Sequence, residues 1–191
     1  MERRVKDKNI LNDFVSRFVK ILDKQGIKYV IVSGFVAIAH GRSRGTEDID
    51  LIFERISNEA FEELHANLEK ADFECLQGSN PKELFDDYLR EKLSLRYVDK
   101  NTQVPEMEIK FAKDVLDDRQ IEMRVKLPLT GLPFYFSSIE TNIAFKEELL
   151  KSPKDMEDAR HLRILYAEKL NESKINAIKK LIHVYRLREK R

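Results

Sequence analysis

Asp48-Ile49-Asp50 stands inside the apolar run DIDLIF, directly after a loop that contains Arg42 and Arg44. Successive strand side chains point to opposite faces. A strand here therefore puts Asp48 and Asp50 on one face and Ile49, Leu51 and Phe53 on the other. Two residues of rise separate the two Cα atoms by roughly 7 Å. Carboxylates that close repel, and one pKa rises unless a counter-charge is present. A hard cation such as Mg²⁺ (or Mn²⁺) supplies it, because such an ion takes one or two carboxylates together with phosphate oxygens and water. The competing reading is a solvated outer face of an edge strand, its acids balanced by Arg42 and Arg44. Upstream, Ser33-Gly34 lies between the β-branched run IKYVIV and the helical FVAIAH. Backbone N–H groups at a helix start grip phosphate, and glycine lets the chain come close. Arg44 and Thr46, just ahead of the acids, meet further phosphate charge. The whole stretch is directed at one ligand type, a polyphosphate with its metal.

The elements that must position these residues follow from periodicity. Ile10, Leu11, Phe14, Val15, Phe18, Ile21 and Leu22 have the spacing of an amphipathic helix, closed by Gly26. Strand IKYVIV, the Ser33-Gly34 turn, helix FVAIAH ending at Gly41 and strand EDIDLIF come next. SNEAFEELHANLEKA is a helix with Ser57 as N-cap and Phe61, Leu64 and Leu68 on its apolar face. PKELFDDYLREK reads as a short helix begun by Pro81, and LSLRYV as a strand. EMEIKFA alternates with period two, and IEMRVKLPL and LPFYF are expected to add strands around the TG turn. Beyond Ser137 three helical segments follow. The expectation is an α/β core over residues 1–136 and a helical domain over residues 137–191.

The chain has 191 residues, 42% apolar and 36% charged, enough to bury a core of its own. It has no apolar run long enough for a membrane span, and MERRVKDKN lacks the apolar stretch of a signal peptide. A cytoplasmic location is expected. Cys75 is the only cysteine, which excludes an internal disulfide and reads as a small core residue. A net charge of +1 argues against a protein coated in nucleic acid, although local patches remain.

The string Ser33-Gly34, Gly41, Arg44-x-Thr46-x-Asp48-Ile49-Asp50 resembles the signature of the polymerase-β-like nucleotidyltransferase superfamily. It is most similar to the small group that includes AbiEii-type nucleotidyltransferase toxins. One departure is the turn, Ser-Gly here where the family usually has Gly-Gly or Gly-Ser. The resemblance implies an α+β fold, a nucleotidyltransferase-type mixed sheet flanked by helices, with a C-terminal helical part closing one side of the cleft. It implies transfer of an NMP group from an NTP to a hydroxyl of an RNA, such as a tRNA end, or of a protein, in a toxin–antitoxin context. Ser33, Gly34, Arg44 and Thr46 would hold phosphates, and Asp48 and Asp50 would bind Mg²⁺ or Mn²⁺. A third carboxylate completes such a site from a neighbouring strand. Glu108, between Met107 and Ile109, fits that pattern, with Glu106 on the same face; glutamate in place of aspartate is a second departure. Glu108 would hold the metal and take the proton from the attacking hydroxyl. SIETNIAFK and KDMEDARHL resemble the family's two helical motifs, which implies that Lys146 binds the triphosphate and that Asp158, with Asp155, positions it. The simpler reading of the second motif is a surface ion pair of Lys154 with Asp158 at i,i+4 spacing. A catalytically silent nucleotide-binding module or toxin–antitoxin partner on the same scaffold is the alternative to an enzyme.

Other residues carry less. His40, His65, His161 and His183 show no zinc spacing. Asp86-Asp87 and Asp117-Asp118 are adjacent, so they diverge and are expected to be solvated. The basic final helix, with its stripe Ile175, Ile178, Leu181, Ile182 and Tyr185, reads either as an RNA-backbone surface or as an ordinary helix packed on the core.

Overall fold

The computed structural model describes residues 2–43, 45 and 48–187, with the backbone alone for 2–9 and 128. Arg44 and Thr46, expected to hold phosphates, lie outside the described residues.

Strands β1 (Tyr29–Ile31), β2 (Asp48–Phe53), β3 (Phe73–Cys75), β4 (Leu95–Asp99) and β5 (Glu106–Phe111) form one mixed sheet in the order β1-β2-β5-β4-β3. β2 and β5 run parallel, while β4 is antiparallel to both β5 and β3. With the surrounding helices this is the expected α+β class. The chain divides into two compact units, residues 1–29 with 46–112 and residues 30–45 with 113–191. Residues 30–45 and 113–136, placed with the core by the sequence, thus fold with the C-terminal helices.

In the first unit, α1 (Glu2–Lys24) buries Phe14, Val15, Phe18 and Leu22 of the expected stripe, while Leu11 and Ile21 are half-buried and Ile10 is exposed. It stops where Gly26 adopts φ 69°, a left-handed conformation that glycine enters without a Cβ penalty. Phe14 and Phe18 meet the Phe73 ring edge-on at 5.4 and 5.2 Å, and Phe18 meets Tyr97 at 5.8 Å. α3 (Asn58–Lys70) is capped by Ser57, whose Oγ accepts from the Ala60 N–H at 3.3 Å, and it buries Phe61, Leu64 and Leu68. α4 (Pro81–Glu83) continues as a wide helical turn over Leu84–Leu89, which brings Phe85 to 5.9 Å from both Phe61 and Phe111. Cys75 is buried, and burial pushes its thiol up, so it is the small core residue its isolation suggests.

In the second unit, the expected strand IEMRVKLPL is instead the end of α5 (Val115–Glu122) and an irregular segment. The reason is a cap. The Asp114 carboxylate accepts from the Leu116 and Asp117 N–H groups at 2.9 and 3.2 Å, and Leu116, Gln120 and Ile121 then share a buried helical face. LPFYF makes only single bridges from Phe136, to Ile31 and to Val125, with Phe35 and Phe136 stacked at 6.2 Å. The helical end comprises α6 (Ile139–Phe145), extended by a wide turn over Lys146–Leu150, then α7 (Pro153–Leu165) and α8 (Glu172–Ile182). α8 buries Ile175 and Ile182. Two of its three lysines pair inside this unit: Lys174 bonds Glu140 at 3.1 Å, and Lys179 pairs with Glu147 at 2.7 Å. Just beyond α8, Arg186 bonds Asp117 at 2.8 Å. These pairings favour the packed helix over an RNA surface. Asp117 is also a correction, since it is buried between Arg186, Gln120 and the Lys113 N–H rather than solvated. No helix among the described residues is long and apolar enough to cross a membrane.

Candidate active site

β2 places Asp48 and Asp50 on one face because Ile49, Leu51 and Phe53 are fully buried on the other. β5 alternates in the same way, burying Met107, Ile109 and Phe111. The parallel register sets Asp48 opposite Glu106 and Asp50 opposite Glu108. Opposed residues of paired strands share a face, so four carboxylates stand together at strand spacing, about 5 Å between neighbours. β4 adds basic charge from the other side: Arg96 lies opposite Glu108, its Nη2 3.3 Å from Glu108 Oε2 and its Nε 3.7 Å from Glu106 Oε2. Glu108 also accepts from Ser94 Oγ at 2.9 Å and lies 3.7 Å from Lys110 Nζ. Among the described residues Glu106 Oε2 is buried and accepts no hydrogen bond, with Arg96 Nε its nearest charged neighbour. The carboxylates hold the Arg96 guanidinium above its usual range, Glu108 most, then Glu106 and Asp48. Among the described residues no three acidic, histidine or cysteine side chains already converge as a finished metal cage.

The second unit carries the other expected residues. Ser33 begins the turn into α2 (Gly34–Ala39) with φ 64° and ψ −134°, backbone angles that a side chain disfavours. At the far end of α2, His40 Nδ1 contacts Val36 O at 2.7 Å. That carbonyl can only accept, so Nδ1 carries a proton, and in the neutral ring Nε2 accepts from the Tyr166 hydroxyl, also at 2.7 Å. His161 Nε2 donates to the His40 carbonyl at 3.1 Å. Two residues on, Arg42 reaches α7, bonding Asp158 through Nε and Glu157 through Nη2 at 2.6 Å. Glu157 first, and Asp158 with it, hold the Arg42 guanidinium up against the cost of its burial.

Lys146 is 1% exposed and Asp158 0%. The ammonium donates to Asp158 at 2.9 Å and to Asp155 at 3.2 Å. Asp155 is held below the usual aspartate range: burial pushes it up, but the Ser152 hydroxyl at 2.5 Å and Lys146 outweigh it. Asp158 therefore bonds Lys146 and Arg42 from inside the fold, and no surface pair with Lys154 is needed to explain it. The ammonium of Lys146, expected to bind triphosphate, bonds the Asp158 and Asp155 carboxylates inside the fold. Sequence reasoning missed Arg96, Ser94 and Lys110, whose only signal is alternation on β4 and β5. It also passed over the Arg42–Asp158 bond, which spans 116 residues.

Comparison with solved structures shows that the fold is a known one. The solution structure of the antibiotic-resistance factor ANT(2'')-Ia superposes with a TM-score of 0.58, at 15% identity over 96% of each chain. The fold is that of a nucleotidyltransferase. The same nucleotidyltransferase fold appears in an antigenic nucleotidyltransferase-like protein from Paracoccidioides brasiliensis, with a TM-score of 0.54, 16% identity, and 96% of this chain and 89% of that one covered. A crystal structure of ANT(2")-Ia with adenylyl-2"-tobramycin gives a TM-score of 0.52 at 17% identity, over 92% and 98% of the two chains. No protein-family model and no curated protein sequence matches the chain.

Proposed function

We propose that the protein is a divalent-metal-dependent nucleotidyltransferase that moves an NMP group from an NTP to a hydroxyl and releases pyrophosphate. The observation that carries this reading is the sheet face on which Asp48 and Asp50 stand across from Glu106 and Glu108, within the fold just described. The donors are all oxygens, the set that Mg²⁺ or Mn²⁺ prefers. A buried Glu106 oxygen without a hydrogen bond is the kind of acceptor such an ion satisfies. Asp48 and Asp50 would hold the metal, with Glu108 as third carboxylate and Glu106 its neighbour. The bound ion supplies charge neutralisation at the phosphates and a more acidic attacking hydroxyl. The acceptor oxygen attacks the α-phosphorus, the bond to the β-phosphate oxygen breaks, and pyrophosphate leaves. The hydroxyl proton passes to a carboxylate, for which Glu108 is the assigned base. By the family resemblance, Ser33 and Gly34 would offer backbone N–H groups to phosphate, and Arg44 and Thr46 side-chain donors. Lys146 and Asp158 hold Arg42 and with it the segment that follows α2.

An RNA such as a tRNA end, or a protein, acts as acceptor in an AbiEii-like toxin–antitoxin system on this reading. A second class of acceptor is favoured by charge. The first unit, residues 1–29 with 46–112, holds 21 acidic against 16 basic side chains, a net negative charge that attracts a polycationic small molecule. Tobramycin, modified in the ANT(2")-Ia complex, is of that type. Incubation with Mg²⁺ and each of four α-³²P NTPs, offering total RNA, protein and a polyamine aminoglycoside in turn, separates these acceptors. Transfer of label that Asp50→Asn abolishes is the expected outcome. Intact NTP binding with no transfer to any acceptor would establish the silent nucleotide-binding module instead.

A further inference from the structure

We propose that Arg96 is an internal counter-ion of the carboxylate face, one that competes with a divalent cation and so sets the metal concentration the face requires. The inference rests on the metal-dependent reading above. Among the described residues, the four carboxylates share the face with the cations Arg96 and Lys110. Those cations offset the cross-strand repulsion between the acids, which would otherwise weaken the pairing of the two strands. Arg96 sits against the pair that faces Asp48 and Asp50. Its guanidinium spans Glu108 at 3.3 Å and Glu106 at 3.7 Å, and Asp48 adds to the charge that stabilises it. Yet its side chain is 47% exposed, so each of these contacts is individually weak and the long stem can swing into water. Glu108 is fixed by a different set of partners, Ser94 at 2.9 Å and Lys110 at 3.7 Å, and keeps its place when Arg96 leaves. A divalent ion that approaches the face gains carboxylate oxygens that Arg96 now shares, and feels its positive charge at short range. Metal and guanidinium are therefore antagonists for the same oxygens. A protein built this way stays folded and partly neutralised without metal, and binds it less tightly than four bare carboxylates would.

The test is Mn²⁺ binding to the purified full-length protein, read from the electron paramagnetic resonance signal of free Mn²⁺, with no nucleotide and no turnover. At about 6 Å from a divalent ion, a unit charge changes affinity up to about tenfold in a water-like dielectric, and salt reduces this toward threefold. Arg96→Gln is therefore expected to tighten Mn²⁺ binding three- to tenfold, whereas Arg96→Lys, which keeps the charge, stays near wild type. Lys110→Gln, a second variant should Arg96→Gln fold poorly, is expected to tighten binding in the same direction by a smaller factor. Unchanged or weaker binding by the folded neutral variants, while the wild type binds, would overturn the counter-ion role and leave the metal-dependent reading standing. Failure of wild type and variants alike to bind Mn²⁺ at millimolar concentration would instead remove that reading, and the counter-ion with it.

Discussion

Ser33→Gly is expected to make the protein more stable. Ser33 holds φ 64° and ψ −134°, a region in which a Cβ meets the adjoining peptide and which costs about 1–3 kcal/mol for a residue other than glycine. Removal of the Cβ recovers that energy but frees the unfolded chain, which offsets about 0.5–1 kcal/mol. The net gain is about 1 kcal/mol, or about 2–4 °C in Tm for a chain of this size. No side-chain cap bond from Ser33 to α2 opposes the gain. Ser33→Ala is the control, since it removes the hydroxyl and keeps the Cβ. Thermal melts and urea titrations of the three proteins decide the matter. Equal stability of Ser33→Gly and wild type, or an alanine variant stabilised as much as the glycine one, would refute the strain argument. The same strain gives a physical reason for the glycine that the resembling family usually places at this position, and marks the serine here as a residue held by its surroundings.

Lys146→Met removes one of the two cations that bond the buried Asp158 carboxylate among the described residues, and is expected to cost about 3–5 kcal/mol in urea unfolding. Combined with Asp158→Asn, the loss should fall well short of the sum of the single changes; strict additivity would show that the two groups do not act as a pair. Stability should also decline in acid through Glu147. Arg163 first, and Lys179 with it, hold Glu147 below its ordinary value of 4.5 against the effect of burial. Its contribution is thus complete above that value and disappears as pH falls through the lower folded pKa. Glu147→Gln should flatten that part of the stability profile measured from pH 6 down to pH 2, and an unaltered slope would count against it.

Period two alone was enough to put Asp48 and Asp50 together, because strand geometry leaves no other choice once Ile49, Leu51 and Phe53 must be buried. The stripe of α1 and the Ser57 cap of α3 were legible for the same reason: spacing and local hydrogen bonds lie within a few residues of chain. The strand expected over IEMRVKLPL failed because apolar alternation there competes with the Asp114 cap, and a capped helix satisfies more backbone donors. The partners of the aspartates belong to another order of information. Glu108, with Glu106, was reached from the sequence only through the family resemblance; the register of β2 with β5 sets them opposite the aspartates and that of β4 with β5 brings Arg96, neither of which a single strand encodes. The Arg42–Asp158–Lys146 chain joins residues more than a hundred positions apart. Its charges become costly to separate only after the second unit closes over them, since burial is a property of packing and not of composition.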